Sequence, residues 1–287
     1  MTQRKRKSNN TNNSRQAVIA IVVTLVLVAA WWIASHGDQI SKAFASEKVS
    51  TTTTVKRNAT DIDRLMEVVA PDGLTQQIVD YEGYTSSFNA DLRIPNYVVY
   101  ELTDTETEGT EPRADGFMQD ESVKGCPTTD DYRGSGYDRG HMAPAGDMKW
   151  SKKAMQQSFY LTNICPQNHS LNSGGWKRLE EKVRTWAARD GSLIVVTGPI
   201  IEGNVKRLDS GVAVPTGFFK VLLAPNANPM RAIGFIYKNE GGQKKVELQA
   251  VSVDDVEAVT GLDFFSSLPD ETETKIEKTC DFYEWNN

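Results

Sequence analysis

Residues 136–148 read GYDRGHMAPAGDM and contain one of only three histidines in a chain of 287 residues. Glycine and proline at this density exclude a helix interior, so His141 belongs to an extended or looped segment, directly behind Asp138, Arg139 and Gly140. The surrounding stretch from 103 to 150 is long, polar and Gly-rich, and loops of that kind in a compact domain are usually functional. His36 directly follows an apolar run, which leaves His141 and His169 as the imidazoles of the folded part. Both fall between 133 and 180, together with Arg133, Asp138, Arg139, Asp147, Asn163, Asn168, Asn172 and Glu180.

Asn172 precedes SGGWKRLE, where an asparagine is ordinarily a helix N-cap. It also stands eight residues before Glu180, a little over two helical turns, which sets the two side chains about 80° apart on one side of a helix. A carboxamide oxygen and a carboxylate there suit a hard cation that takes oxygen ligands and keeps several waters, which describes Mg²⁺ better than Zn²⁺.

Outward from this window, NYVVYEL (96–102), SFYLTNI (158–164), SLIVVTGPI (192–200), TGFFKVLLA (216–224), RAIGFIYK (231–238) and VELQAVSV (246–253) have the β-branched and aromatic content of strands. Residues 172–190 carry Trp176, Leu179, Val183, Trp186 and Ala187 at helical spacing, closed by Asp190-Gly191. Shorter helices are predicted at 152–157, 254–260 and 271–283. Asp147 and Met148 finish the loop, and the two tryptophans are core.

The N-terminal end has a different character. Residues 1–16 hold Arg4, Lys5, Arg6, Lys7 and Arg15 and no acid; residues 17–34 are uncharged and near the length of a bilayer-crossing helix, roughly 20 residues; residues 35–60 are polar and Ser/Thr-rich, as a tether is. The positive-inside rule keeps the first segment cytoplasmic and exports the rest. Ala43-Phe44-Ala45 would suit signal-peptide cleavage, giving a secreted protein, but the run is long for a signal core and Trp31-Trp32 fit an interfacial belt, so an uncleaved anchor is favoured. The expected location is a bacterial periplasm or cell surface. One domain, 61–287, follows. Once the five basic residues of the tail are set aside, 27 basic residues face 38 acidic ones, a balance that by itself argues against a polyanion partner, although a local basic cleft can exist in an acidic envelope. In an oxidising compartment Cys126, Cys165 and Cys280 would form one disulfide, its pairing open, and leave one free thiol. Asn58 and Asn168 head formal glycosylation sequons.

Asp138-Arg139-Gly140-His141, followed by Thr162-Asn163-Ile164-Cys165-Pro166-Gln167, Leu171-Asn172, Trp176 and Leu179-Glu180, resembles the DNA/RNA non-specific endonuclease family. The resemblance implies an α+β, ββα-metal (His-Me finger) fold with a central antiparallel sheet flanked by helices. It implies His141 as general base, Asn172 as the one protein ligand of Mg²⁺ (with Mn²⁺ as a substitute), Glu180 as the carboxylate holding water at the metal, and Asn163 as a hydrogen-bonding residue near the site. Arg139 would touch phosphate or brace the loop, Asp138 would orient its neighbours, and Arg113, in EPRADGFMQD, matches across a gap the arginine that meets charge on the phosphoryl group. DNA and RNA are the implied substrates and 5′-phosphate ends the implied products, with a homodimer left open.

The chemistry agrees with those roles. A neutral imidazole can take a proton from water near pH 7, provided that it does not ligate the metal. Contacts limited to phosphate position a nucleic acid without reading its sequence, and Arg133, Lys149, Lys152, Lys153, Lys177 and Arg178 are candidates, each of which could equally be solvated surface. Two other readings stay open: a binding module that kept the fold without catalysis, and a zinc hydrolase using Cys165, His169 and His141.

Overall fold

The computed structural model describes residues 61–286. The predicted anchor, tether and basic tail lie outside the described residues, and among these no helix is long and apolar enough to cross a membrane.

A seven-stranded sheet forms the centre, and all its neighbours pair antiparallel. Its strands are β1 (Gln77–Asp80), β2 (Thr85–Asn89), β3 (Ile94–Thr103), β6 (Ser192–Ile200), β7 (Gly217–Ala224), β8 (Arg231–Lys238) and β9 (Ala250–Val251). They lie in the order β9-β8-β7-β6-β3-β2-β1. Outside it, β4 (Asp138–His141) pairs antiparallel with β5 (Ile164–Gln167). The principal helices are α1 (Lys152–Gln157), α2 (Lys177–Asp190), α3 (Val253–Thr260) and α4 (Asp270–Glu277).

The period-2 alternation of the central strands divides the apolar residues between two faces. Val98, Tyr100, Leu193, Val195, Phe218, Leu222 and Phe235 join Leu179, Val183 and Trp186 of α2 in one core. Val99, Ile194, Val196, Phe219, Val221 and Leu223 join Val253 and Val256 of α3 and Ile276 of α4 in the other. Both faces are covered, so β6 and β7 are buried along their whole length, which explains why they read as continuous apolar runs rather than alternating ones.

Most predicted elements form where the pattern puts them, with three departures. SFYLTNI is not a strand: Ser158 caps α1, Leu161–Asn163 make a 3-10 turn, and the strand starts at Ile164. VELQAVSV breaks into a 3-10 turn, the two residues of β9 and the start of α3 at Val253, because Ser252 caps that helix by accepting from the Asp255 N–H. The helix predicted at 271–283 stops at Glu277, and Phe282–Asn286 forms a separate one.

All three cysteines are free thiols, Cys126 and Cys165 buried and Cys280 exposed. The expected disulfide is therefore absent among the described residues. Cys126 instead accepts from the Asp120 N–H at 3.4 Å, and Cys165 is a fully buried small apolar side chain on β5.

Candidate active site

The segment quoted first is a strand. Across the β4–β5 pair Asp138 faces Gln167, Gly140 faces Cys165 and His141 faces Ile164. Gly140 is needed there, because a Cβ would come within 2.3 Å of Gln167 Oε1 and 2.6 Å of Gln167 Cβ. The chain leaving His141 is clamped by Asn163. Its Nδ2 donates to the carbonyls of Ala143 (2.9 Å) and Ser158 (2.8 Å), and its Oδ1 accepts from the Ala143 N–H at 2.8 Å. The whole carboxamide is committed to backbone and fully buried, so Asn163 fixes the exit of the strand.

His141 is 9% exposed, packed against Phe117 (ring centroids 5.3 Å apart) and edge-on to Phe159 at 4.9 Å. Its Nε2 is buried without a hydrogen-bond partner. Burial first, and then the nearby Arg113 charge, lower its pKa to about 3. The ordinary imidazole near 6.5 expected from sequence is corrected by this aromatic cover, which disfavours the charged ring. The cover is held in place by the backbone: the Met118 N–H donates to the Phe159 carbonyl at 3.0 Å and the Leu161 N–H to the Met118 carbonyl at 2.9 Å. The same segment carries Arg113, exposed, with its guanidinium 4.8 Å from the centre of the Phe159 ring. The structure thus brings Arg113 to His141 across a 28-residue separation that left its alignment open.

Asn172 does not cap a helix. It lies in a π-helical turn, Leu171–Trp176, that runs into α2. Such wide turns are rare and frequent at functional sites. They also invalidate the α-helical phase used to relate Asn172 to Glu180. The capping oxygen is supplied by Asn168, whose Oδ1 accepts from the Ser170 N–H at 2.9 Å. Asn172 Nδ2 donates to Asp138 Oδ2 at 2.8 Å, and His169 Nδ1 approaches the same oxygen at 2.9 Å. Asp138 therefore ties the π turn to the strand that ends in His141, and it orients the Asn172 carboxamide by its nitrogen.

Behind the turn lies an ionic group whose Lys220 and Asp147 are fully buried and whose Glu180 is half-buried. Glu180 is pushed above the ordinary carboxylate range, chiefly by burial, while Lys220, Arg184 and Arg113 pull it down and Asp147 pushes it up. Lys220 is fully buried on β7; its Nζ has no hydrogen-bond partner and sits 4.9 Å from the Trp176 ring centre. Burial lowers its pKa, and Glu180 is the main opposing influence. Asp147, also fully buried, accepts from Arg184 Nη1 and from the Tyr100 hydroxyl, both at 2.7 Å. Asp147 was expected merely to finish a loop, and its partners 37 and 47 residues away could not be read locally. A lysine inside GFFKVLLA was the one available signal for Lys220: a charge in the middle of an apolar strand is costly unless another charge meets it.

The remaining candidates sit elsewhere. Arg139 Nη2 donates to the Thr129 carbonyl at 2.9 Å, and its guanidinium lies 5.4 Å from the Phe117 ring centre and 5.9 Å from that of Tyr132, so it braces the cover. Arg133 pairs with Asp130 at 2.7 Å on an exposed turn, its side chain 77% exposed. Lys153 pairs with Glu82 and Lys177 with Glu181. A zinc set is not assembled: among the described residues the one group of three His, Cys, Asp or Glu with converging ligand atoms is Asp254, Glu257 and Glu277.

Strand pair, π turn and helix thus carry a histidine, an asparagine and a glutamate in turn. Residues 63–271 match the family model described as DNA/RNA non-specific endonuclease, and the chain belongs to that family; the fold is of α+β type. The mitochondrial nuclease EXOG of Danio rerio is 36% identical over 209 residues, covering 66% of this chain and 60% of the relative. Human mitochondrial endonuclease G is 32% identical over 209 residues, covering 67% and 70%, and nuclease C1 of Cunninghamella echinulata is 35% identical over 217 residues, covering 68% and 85%. This chain thus spans about three fifths of the length of the zebrafish EXOG it matches. Among solved structures, a chain from the crystal structure of the EndoG/EndoGI complex superposes with a TM-score of 0.66 at 27% identity, over 76% of this chain and 96% of that one.

These relatives correct the expected location. EXOG and endonuclease G are named as mitochondrial, and a bacterial periplasm or cell surface does not stand. A basic stretch without acids, as at residues 1–16, is common to export anchors and to organelle-directing segments, so charge there could not discriminate.

Proposed function

We propose that this chain is a Mg²⁺-dependent nuclease that hydrolyses phosphodiester bonds of DNA and RNA without reading sequence, with His141 as general base and 5′-phosphate products. The observation that carries the proposal is the convergence at Asp138 and Arg113. One ties the Asn172 carboxamide to the strand of His141, and the other places a free cation beside the imidazole and within electrostatic reach of Glu180.

The residues fit a hard cation. With Nδ2 donated to Asp138, Asn172 keeps Oδ1 as a neutral oxygen donor, and Glu180 adds a carboxylate able to hold water nearby; oxygen donors with water completing the shell suit Mg²⁺, with Mn²⁺ as a substitute. When bound, such an ion would stabilise negative charge on the leaving oxygen.

His141 is neutral across the physiological range, so it is in the state that accepts a proton. Nε2 is sealed against the aromatic cover, which leaves Nδ1 as the nitrogen for a reacting water. A bound phosphodiester anion raises the basicity of a nearby imidazole and so offsets the depression caused by burial and Arg113. Arg113 meets charge on the non-bridging oxygens. Arg139 and Asn163 are positioning residues, holding the cover and the strand exit. The Arg133 pair contributes at most a distant phosphate contact.

The test uses the full chain with plasmid DNA and with RNA. Cleavage of both should stop with EDTA and return with Mg²⁺. His141→Ala should lose about 10²–10⁴-fold in kcat, while His169→Ala should stay within a few-fold. Activity in His141→Ala equal to that of the unaltered chain would refute the general-base role.

A further inference from the structure

On the face of the sheet opposite α2, helices α3 and α4 bring together Asp254, Glu257 and Glu277, with one ligand oxygen from each lying within 4.8 Å of the others. Two oxygens that share a Ca²⁺ ion, each 2.3–2.6 Å from it, are separated by at most about 5 Å. Glu277 is the buried member. It is 6% exposed, and its Oε1 is shut off from solvent without a hydrogen-bond partner. The charged groups that act most on it are Glu257, Glu273, Asp254 and Asp263, every one an acid. It is also the last residue of α4, where the helix dipole already disfavours negative charge. Burying an ionised carboxylate without a partner is costly, and the charges that act most on Glu277 add to that cost.

The other two carboxylates are placed to complete a site. Asp254 and Glu257 stand one turn apart on α3, hence on the same side. The N-terminal cap of that helix is the reciprocal pair of Ser252, whose Oγ accepts from the Asp255 N–H at 3.0 Å, and Asp255, whose Oδ2 accepts from the Ser252 N–H at 3.2 Å, so Asp254 is not engaged as a cap. Glu257 is oriented by the Phe264 N–H, which donates to its Oε1 at 2.9 Å, leaving Oε2. We infer that Asp254, Glu257 and Glu277 form a second divalent-cation site, one for Ca²⁺, that locks α4 onto α3 away from the catalytic face. Calcium is favoured over magnesium because three carboxylates from two helices can bind in mono- or bidentate fashion around an irregular shell, whereas Mg²⁺ demands near-octahedral geometry and retains its waters.

Calorimetric titration of Ca²⁺ into the metal-stripped full chain tests this, alongside Glu277→Gln, Asp254→Asn and Asn172→Ala. The first two variants should each lose one bound ion and Asn172→Ala should keep it. The melting temperature of the unaltered chain should rise by roughly 5–10 °C at a hundredfold excess over the dissociation constant. Glu277→Gln should melt no lower than the unaltered chain in EDTA, gain nothing from Ca²⁺, and retain Mg²⁺-supported cleavage, which separates this site from the catalytic proposal. If the unaltered chain binds no Ca²⁺ outside the Asn172 site, or Glu277→Gln binds as many ions with the same affinity, the inference fails and Glu277 holds only a proton.

Discussion

The two faces of the central sheet bury charge in opposite ways. Under α2, each acid has a basic or hydroxyl partner: Asp147 has Arg184 and Tyr100, and Glu180 has Lys220 as its chief opposing charge. Under α3 and α4, the charged groups that act most on Glu277 are all acids. A balanced buried group resists the loss of any single member, because a charge left unpaired costs more than the pair contributes. An unbalanced one gains from neutralisation. On the α2 face the protein's own cations and hydroxyls oppose the buried acids, whereas the groups acting most on Glu277 add to its charge.

The comparison breaks if the first face tolerates neutralisation. Asp147→Asn removes the counter-charge of the half-buried Arg184 and should cost about 3–5 kcal/mol in urea-induced unfolding, against no loss for Glu277→Gln in the absence of metal. A destabilisation below 1 kcal/mol would mean that Arg184 simply turns to Glu180 and that the network is not tightly balanced.

A somewhat smaller effect tests the aromatic cover. The folded-state pKa of His141, about 3, lies below its unfolded value near 6.5. Between those limits the unfolded chain binds the extra proton, so stability rises with pH. His141 contributes no penalty above about pH 6.5, and the penalty grows as pH falls toward 3. His141→Gln removes this proton linkage. Relative to the variant, the unaltered protein should lose on the order of 3 kcal/mol between pH 6.5 and 4. Parallel pH profiles of stability would show that the ring is not held neutral by its surroundings.

The smallest effect is expected at Arg133. An exposed i, i+3 pair with Asp130 is worth about 0–0.5 kcal/mol, so Arg133→Ala should leave stability unchanged and shift KM for nucleic acid at most about twofold. A tenfold rise in KM at constant kcat would place this turn in the substrate path after all.

Much of the architecture is legible locally. SLIVVTGPI and RAIGFIYK announce their strands, Ser151 and Ser252 cap the helices that follow them, and Trp176, Leu179, Val183 and Trp186 mark the face that α2 buries. The departures occur where two local preferences compete. SFYLTNI has β composition, yet Asn163 draws it into a turn by bonding the backbone on both sides. VELQAVSV has it too, yet Ser252 starts a helix. The edge strand β1 and its neighbour β2 escaped because QIVD and TSSFN are short and carry few apolar residues.

The sequence by itself determined which residues could do chemistry: an imidazole freed from a helix, an asparagine and a glutamate near a helix start, and apolar runs able to cover both faces of a sheet. Tertiary structure alone decided how those groups are tuned. The burial of His141 under Phe117 and Phe159, the orientation of Asn172 by Asp138, and the mutual electrostatic influence of Lys220 and Glu180 each depend on segments tens of residues apart. Protonation and hydrogen bonding respond to distance and dielectric, and neither is encoded in spacing along the chain.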